Sequence, residues 1–253
     1  MTINLSRSMI DAATADLLRT YAARYETASF IEGDPSWFMH QVSGEKNQEM
    51  MAFLAMALSY GARSQFLPKI QWLLDSARGE PFDWVREGAY ASVLEEGDKA
   101  CFYRLYNKGL MRAFLDACRE MAGEYGSIGG FVPEGDTLKA LDAFCGYFSA
   151  RGLSVIVPKD TSSSCKRLCM FMRWMVRDGS PVDLGLWAGK IDRRTLIMPL
   201  DTHVLTEAEN LGLIKSRCTS MSAARRLTAA LAEVFPDDPL KGDFALFGYG
   251  VNH

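Results

Sequence analysis

Residues 47–61, NQEMMAFLAMALSYG, carry apolar side chains almost all the way round a helix. Such a segment is stable only when other elements enclose it on every side. With 253 residues, 48% of them hydrophobic, the chain can supply that enclosure as one large domain or as two intimately packed lobes. The flanking segments share the helical period. Residues 8–25, SMIDAATADLLRTYAARY, predict a helix, and a Gly33-Asp34-Pro35 break precedes an aromatic-rich turn, PSWFMH. A further run from Phe66 to Leu74 stops by Gly79. FYRLYNKGLMRAFLDACREMAGEYG (102–126) and TLKALDAFCGYFSARG (137–152) predict more helices, the latter capped at Thr137. Only LSVIVP, 153–158, suits a strand, and so short a run suits an extended connection equally well. The expected fold class is therefore all-α, with at most a trivial sheet.

Two segments carry the chemistry-bearing residues. In SSSCKRLCMFMRWMVRD, 162–178, a rotation of 100° per residue lines up Lys166, Met170, Arg173 and Arg177 on one face, with Leu168, Phe171, Met172 and Met175 opposite. Ser162 to Ser164 offer N-caps, which sets Lys166 in the first turn, where the positive end of the helix dipole disfavours an ammonium. That cationic stripe reads either as a solvated or phosphate-facing surface, or as one that also holds a reactive amine. In IMPLDTHVLTEAENLGL, 197–213, Asp201 precedes a run with Val204, Ala208 and Leu211 in helical register and Gly212 at its end. Asp201 can simply cap that helix, or it can serve a site.

Net charge is −3, which excludes a uniformly basic surface, but residues 151–194 hold nine Lys or Arg against four Asp, net +5. A local basic zone on an acidic body permits a single electrostatic binding face. The six cysteines are scattered without a CxxC, and no pair of histidines lies near them, so neither a zinc site, an iron–sulfur cluster nor a disulfide framework is expected. Free thiols, no metal and no cofactor are the expectation. His40 and His203 stand alone and read as hydrogen-bonded core or cap residues. MTINLSRSMIDAATADLL shows no secretory pattern and no apolar run is long enough to span a bilayer; a soluble cytoplasmic chain without membrane contact is expected.

The order of motifs resembles that of the base-excision DNA glycosylases named for a helix-hairpin-helix followed by a Gly/Pro-rich loop and an Asp. PLDTHVLTEAENLGL resembles their PVDTHVxRxxxRLGL signature. AFLAMALSYGAR matches the place of their first lobe-forming helix and DNA-penetrating loop, FYRLYNKGLMRAFLD their FYRxKAxxI helix, SSSCKRLCMF the hairpin-plus-Lys, and DFALFGYG the closing helix. KRLCMFMRWMVR, DLGLW and PLDTHV together resemble an uncharacterised bacterial family distantly related to those enzymes.

The resemblance implies a two-lobed fold with a cleft, a middle lobe of about 62–178 and a second lobe from 1–61 plus 179–253, in one continuous unit of 1–253. It also implies excision of a damaged base from duplex DNA. Asp201 would support cleavage of the N-glycosidic bond, and Lys166 would attack C1′ and form a Schiff base, adding AP-lyase activity. Arg167, Arg173 and Arg177 would contact phosphates, and Tyr60 and Arg63 would lie at the wedge loop. Trp187 would stack on the flipped base, though a tryptophan is more often simply buried in the core. The chain departs from the pattern in four places: Ser162, Ser163 and Ser164 replace the hairpin glycines, a connection of 34 residues, longer than the superfamily's compact form, separates Lys166 from Asp201, Thr206 and Glu207 stand where an arginine is expected after DTHV, and no four-cysteine cluster follows Gly250. A noncatalytic nucleic-acid-binding or partner-binding helical protein is the alternative.

Overall fold

A computed structural model describes residues 10–253. Among them the protein is mostly helical. Helix α1 spans Ala12–Tyr25, α2 Glu45–Leu58, α3 Arg63–Ser76 and α4 Pro81–Arg86. A hairpin of β1, Cys101–Tyr103, and β2, Tyr106–Asn107, leads into α5, Lys108–Tyr125. There follow α6, Ile128–Phe131, α7, Thr137–Ser149, and α8, Lys166–Val176. The chain then forms α9, Thr202–Asn210, α10, Met221–Val234, and α11, Lys241–Asn252. Ser8 and Met9, expected in the first helix, lie outside the described residues.

Helix α2 is the hub that its sequence demands. Every residue from Glu49 to Leu58 is buried, and α2 packs against α8, α3, α4, α6 and the 3-10 turn Pro35–His40. Phe53 sits among Phe114, Phe144, Phe148 and Phe171, with ring centroids 5.2–5.7 Å apart. Offset and edge-on contacts at such distances add to the area that these rings bury. Buried apolar residues from Ile10 to Leu246 belong to one contiguous cluster.

Helix α11 closes the structure by lying against α1 and α9. Tyr21 stacks on Tyr249 at 4.4 Å, and a Cβ at Gly248 would collide with Tyr25, so a glycine there sets how closely α1 and α11 approach.

Four local expectations are corrected. FYRLYN forms no helix: Tyr103 pairs with Tyr106 across a two-stranded antiparallel sheet, and the helix begins at Lys108. Phe102, Tyr103 and Tyr106 are all buried, the consecutive pair Phe102 and Tyr103 leaving the strand on opposite faces. LSVIVP is a turn, with Ile156 N–H donating to the Leu153 carbonyl at 2.9 Å. Asp136, rather than Thr137, caps α7, accepting from Lys139 N–H at 2.9 Å. The cap residue of α8 is Cys165, in left-handed backbone at φ 47°, with no side-chain cap from the serines. Of the cysteines, Cys118, Cys145, Cys165 and Cys169 are buried, Cys101 and Cys218 are exposed, and all six are free.

Candidate functional site

The N-termini of α8 and α9 meet at one point. Lys166 is the first residue of α8. Asp201 caps α9, with Oδ1 accepting from His203 N–H at 2.8 Å and Oδ2 accepting from Lys166 Nζ at 2.5 Å. Asp201 is thus a cap and an ion-pair partner at once, one oxygen for each task. The side chain of Lys166 is 42% exposed and that of Asp201 18%, so the pair is open on the lysine side. Burial alone would raise the Asp201 carboxyl, but the Lys166 ammonium and the His203 N–H outweigh it and hold the group below its usual range. The positive ends of both helix dipoles work in the same direction.

Both residues line a cavity of about 370 Å³, within the range of small-molecule sites. Phe30, Tyr60, Met170 and Phe247 give it an apolar wall, while Asp34, Arg63, His203 and Asp243 give it polar ones. The Arg63 guanidinium lies 5.7 Å from the Phe247 ring centre and 3.4 Å from Asp34 Oδ2. Asp34 is buried because its other oxygen caps the Pro35–His40 turn, accepting from Ser36 N–H at 3.0 Å.

Asp243 stands at the base of this cavity, buried, with Oδ2 accepting from Arg173. Burial pushes its carboxyl up to about 6; Arg173 opposes the rise, and the charges of Asp183 and Asp201 add to it. A raised folded-state value means that the native chain holds the proton more tightly than the unfolded chain. The stabilisation is complete below about pH 4 and is lost as the pH rises through about 6. Replacing Asp243 by Asn removes that titration. The difference in unfolding free energy between variant and parent is expected to shift toward the variant between pH 4 and 6, by an order of 2–3 kcal/mol, in urea melts across that window.

The remaining expected site residues are placed as follows. Arg173 and Arg177 are 3% and 1% exposed and face inward, which corrects their assignment as phosphate contacts. Asp183 bridges them, Oδ1 accepting from Arg173 at 3.2 Å and Oδ2 from Arg177 at 2.5 Å. Arg177 also binds Glu26 at 2.7 Å and Asp238 at 2.7–3.2 Å. The arginine half of the stripe meets carboxylates from α11 and the loops and not solvent.

Arg167 donates to the Ala57 and Ile156 carbonyls and to Tyr106 Oη. It fastens the end of α2, the hairpin and the 153–157 turn together. Eight of the nine basic residues between 151 and 194 hydrogen bond to protein groups, so the net +5 does not form a free cationic face.

Trp187 is 3% exposed, stands edge-on to Phe171 at 5.3 Å and lies outside the cavity, which corrects its assignment to a base pocket. Its Nε1 donates to Glu49 Oε1 at 2.7 Å, and Glu49 Oε2 accepts from Gly129 N–H at 2.9 Å. Trp187→Phe leaves that buried carboxylate oxygen without a donor. A loss of about 1–3 kcal/mol is expected in denaturant titration.

Tyr60 and Arg63 line the cavity and His203 stands at its edge. His40 hydrogen bonds the Val182 carbonyl at 2.8 Å. Asp34, Asp243 and Phe247 were not singled out from the sequence; the legible signal was a lone carboxylate four residues before Phe247 in the otherwise apolar DFALFGYG.

The family described as "Protein of unknown function (DUF2400)" matches residues 34–252. The chain belongs to the DUF2400 family. The match takes in every residue that lines the cavity except Phe30. No curated protein and no solved structure matches the chain. No helix among the described residues of this DUF2400 protein is long and apolar enough to cross a membrane. No cluster of three or more His, Cys, Asp or Glu among them is arranged to hold a metal ion.

Proposed function

We propose that this DUF2400 protein is a DNA base-excision glycosylase of the helix-hairpin-helix kind, with Lys166 as nucleophile and Asp201 as its proton acceptor and electrostatic partner. One observation carries the reading: Lys166 Nζ and Asp201 Oδ2 lie 2.5 Å apart in a single cavity, although 34 residues separate them in the chain. The order α7, connection, α8 beginning with Lys166, then α9 capped by Asp201 supports the two-lobed helix-hairpin-helix fold.

The chemistry follows from the pair. Asp201 takes a proton from the Lys166 ammonium, and the free amine attacks C1′ of an extrahelical nucleotide. The bond from C1′ to the base breaks, and the base leaves with a proton. That proton comes from Asp201, which passes on the one taken from Lys166 and is again negative beside C1′ as positive charge develops on the sugar. Loss of the amine's second proton and opening of the sugar ring give an imine, from which strand cleavage by elimination is available.

The burial of Arg173 and Arg177 among carboxylates and the carbonyl contacts of Arg167 favour a second reading, a partner-binding helical protein in which Lys166–Asp201 is only an ion pair. A panel of duplexes with different base lesions, incubated with and without borohydride, separates the two. Release of a base supports the glycosylase; neither release nor binding of any duplex at low salt supports the partner-binding reading.

A further inference from the structure

The hairpin between β1 and β2 places its two-residue tip, Arg104-Leu105, beside the mouth of the cavity. Leu105 is 75% exposed, against 39–45% for the other large apolar side chains that reach solvent. An exposed leucine means little by itself; here three further features converge on it.

The tip is fixed. Tyr60 Oη donates to the Tyr103 carbonyl at 3.2 Å, Leu105 N–H donates to Tyr60 Oη at 3.3 Å, and Tyr103 Oη donates back to the Tyr60 carbonyl. The Tyr60 ring also lies 4.9 Å from Tyr103 and 5.1 Å from Tyr106. The tip adjoins the site, because Tyr60 and Gly61 are themselves cavity wall. At Gly61, φ +83°, a Cβ would stand 2.8 Å from Arg104 Nη1, so the glycine lets the arginine close over that wall. The tip is also cationic: the Arg104 guanidinium lies 5.6 Å from the Tyr60 ring centre, with its own backbone held at φ 49°.

We infer that Leu105 is the wedge that enters a DNA duplex at the position vacated by an everted nucleotide, with Arg104 beside it on the phosphate backbone. This deepens the glycosylase reading and rests on it. A buried cavity cannot act on a base inside a stack; the base must leave, and an apolar side chain that fills the gap offsets part of the unstacking. A rigid tip is what such insertion needs, because no loop has to be ordered at the moment of binding. The wedge position therefore passes from Tyr60 and Arg63, which line the cavity, to the hairpin that Tyr60 supports.

The test uses the intact chain and a duplex carrying a tetrahydrofuran abasic analogue next to 2-aminopurine, a probe that needs no bond cleavage. The parent is expected to raise the 2-aminopurine fluorescence as the neighbouring stack opens. Leu105→Ala, at an exposed position, is expected to keep its circular dichroism and lose most of that rise. Tetrahydrofuran-duplex affinity should fall about tenfold, as removal of an intercalating side chain implies. Leu105→Phe is expected to restore the signal. An unchanged rise with Leu105→Ala overturns the wedge. If lesion duplexes still give base release and a trapped adduct in that case, base excision stands without it. A lost rise with no base release from any lesion keeps the wedge and removes the glycosylase. Absence of binding to the probe duplex at low salt overturns both.

Discussion

Borohydride is expected to trap a covalent protein–DNA adduct with the parent chain and none with Lys166→Gln, because only a primary amine can form the reducible imine. The same substitution should leave the fold intact, since the Lys166 side chain is 42% exposed at the mouth of the cavity. Asp201→Asn makes the sharper comparison. Its Oδ1 can still accept from His203 N–H, and Asn caps a helix about as well as Asp, so unfolding should move little. What disappears is the negative charge 2.5 Å from Lys166 Nζ. Base release should then fall about a hundredfold or more, the usual scale of a lost electrostatic contribution to a transition state. An Asp201→Asn chain as active as the parent would reduce Asp201 to its capping role. Base release without trapping would leave Asp201 in place and give the attack to water.

Arg177→Met is expected to lower stability by about 3–5 kcal/mol, the cost of leaving buried carboxylates without their cation. On a chain of this size that amounts to a fall in Tm of roughly 6–20 °C in a calorimetric scan. Arg177 binds Glu26 after α1, Asp183 in the loop after α8, which it shares with Arg173, and Asp238 before α11. The pairs are dry, so added salt should not mimic the substitution, as it would for exposed pairs. Arg177→Lys keeps the charge without the fork of donors and should recover only part of the loss. A Met variant that melts with the parent would mean that Asp183, Asp238 and Glu26 are satisfied in some other way.

How much of this was legible in the sequence depends on whether local pattern or long-range pairing decides the element. α2 was readable because a helix apolar on every side admits one environment. Asp201 at the start of α9 and Gly212 just past it, at φ +70°, were readable from capping chemistry. The hairpin was not, because FYRLYN carries inward aromatics that satisfy a helical template as well as a strand, and Tyr60, more than forty residues earlier, anchors it. The destination of Arg173 and Arg177 was equally hidden. Periodicity set them on the face of Lys166 and Met170, but whether that face meets solvent or carboxylate was decided by Asp183, Asp238 and Asp243, none of which falls on α8. Trp187 was legible only to the extent that large aromatics are usually buried, and its partner Glu49 begins the fully buried stretch of α2.

The junction of α1 with α11 sets an order of assembly. These two helices pack along each other with 215 residues between Tyr25 and Lys241, a contact of very high sequence separation and therefore slow to close. α11 also brings Asp243 and Phe247 to the cavity. During synthesis Lys166 and Asp201 emerge from the ribosome well before those two wall residues, so a nascent chain carries the ion pair with one side of its pocket still missing. Competence to enclose a small group thus waits for the docking of α11, and a chain stalled before α11 holds the amine and the carboxylate but not the chamber around them.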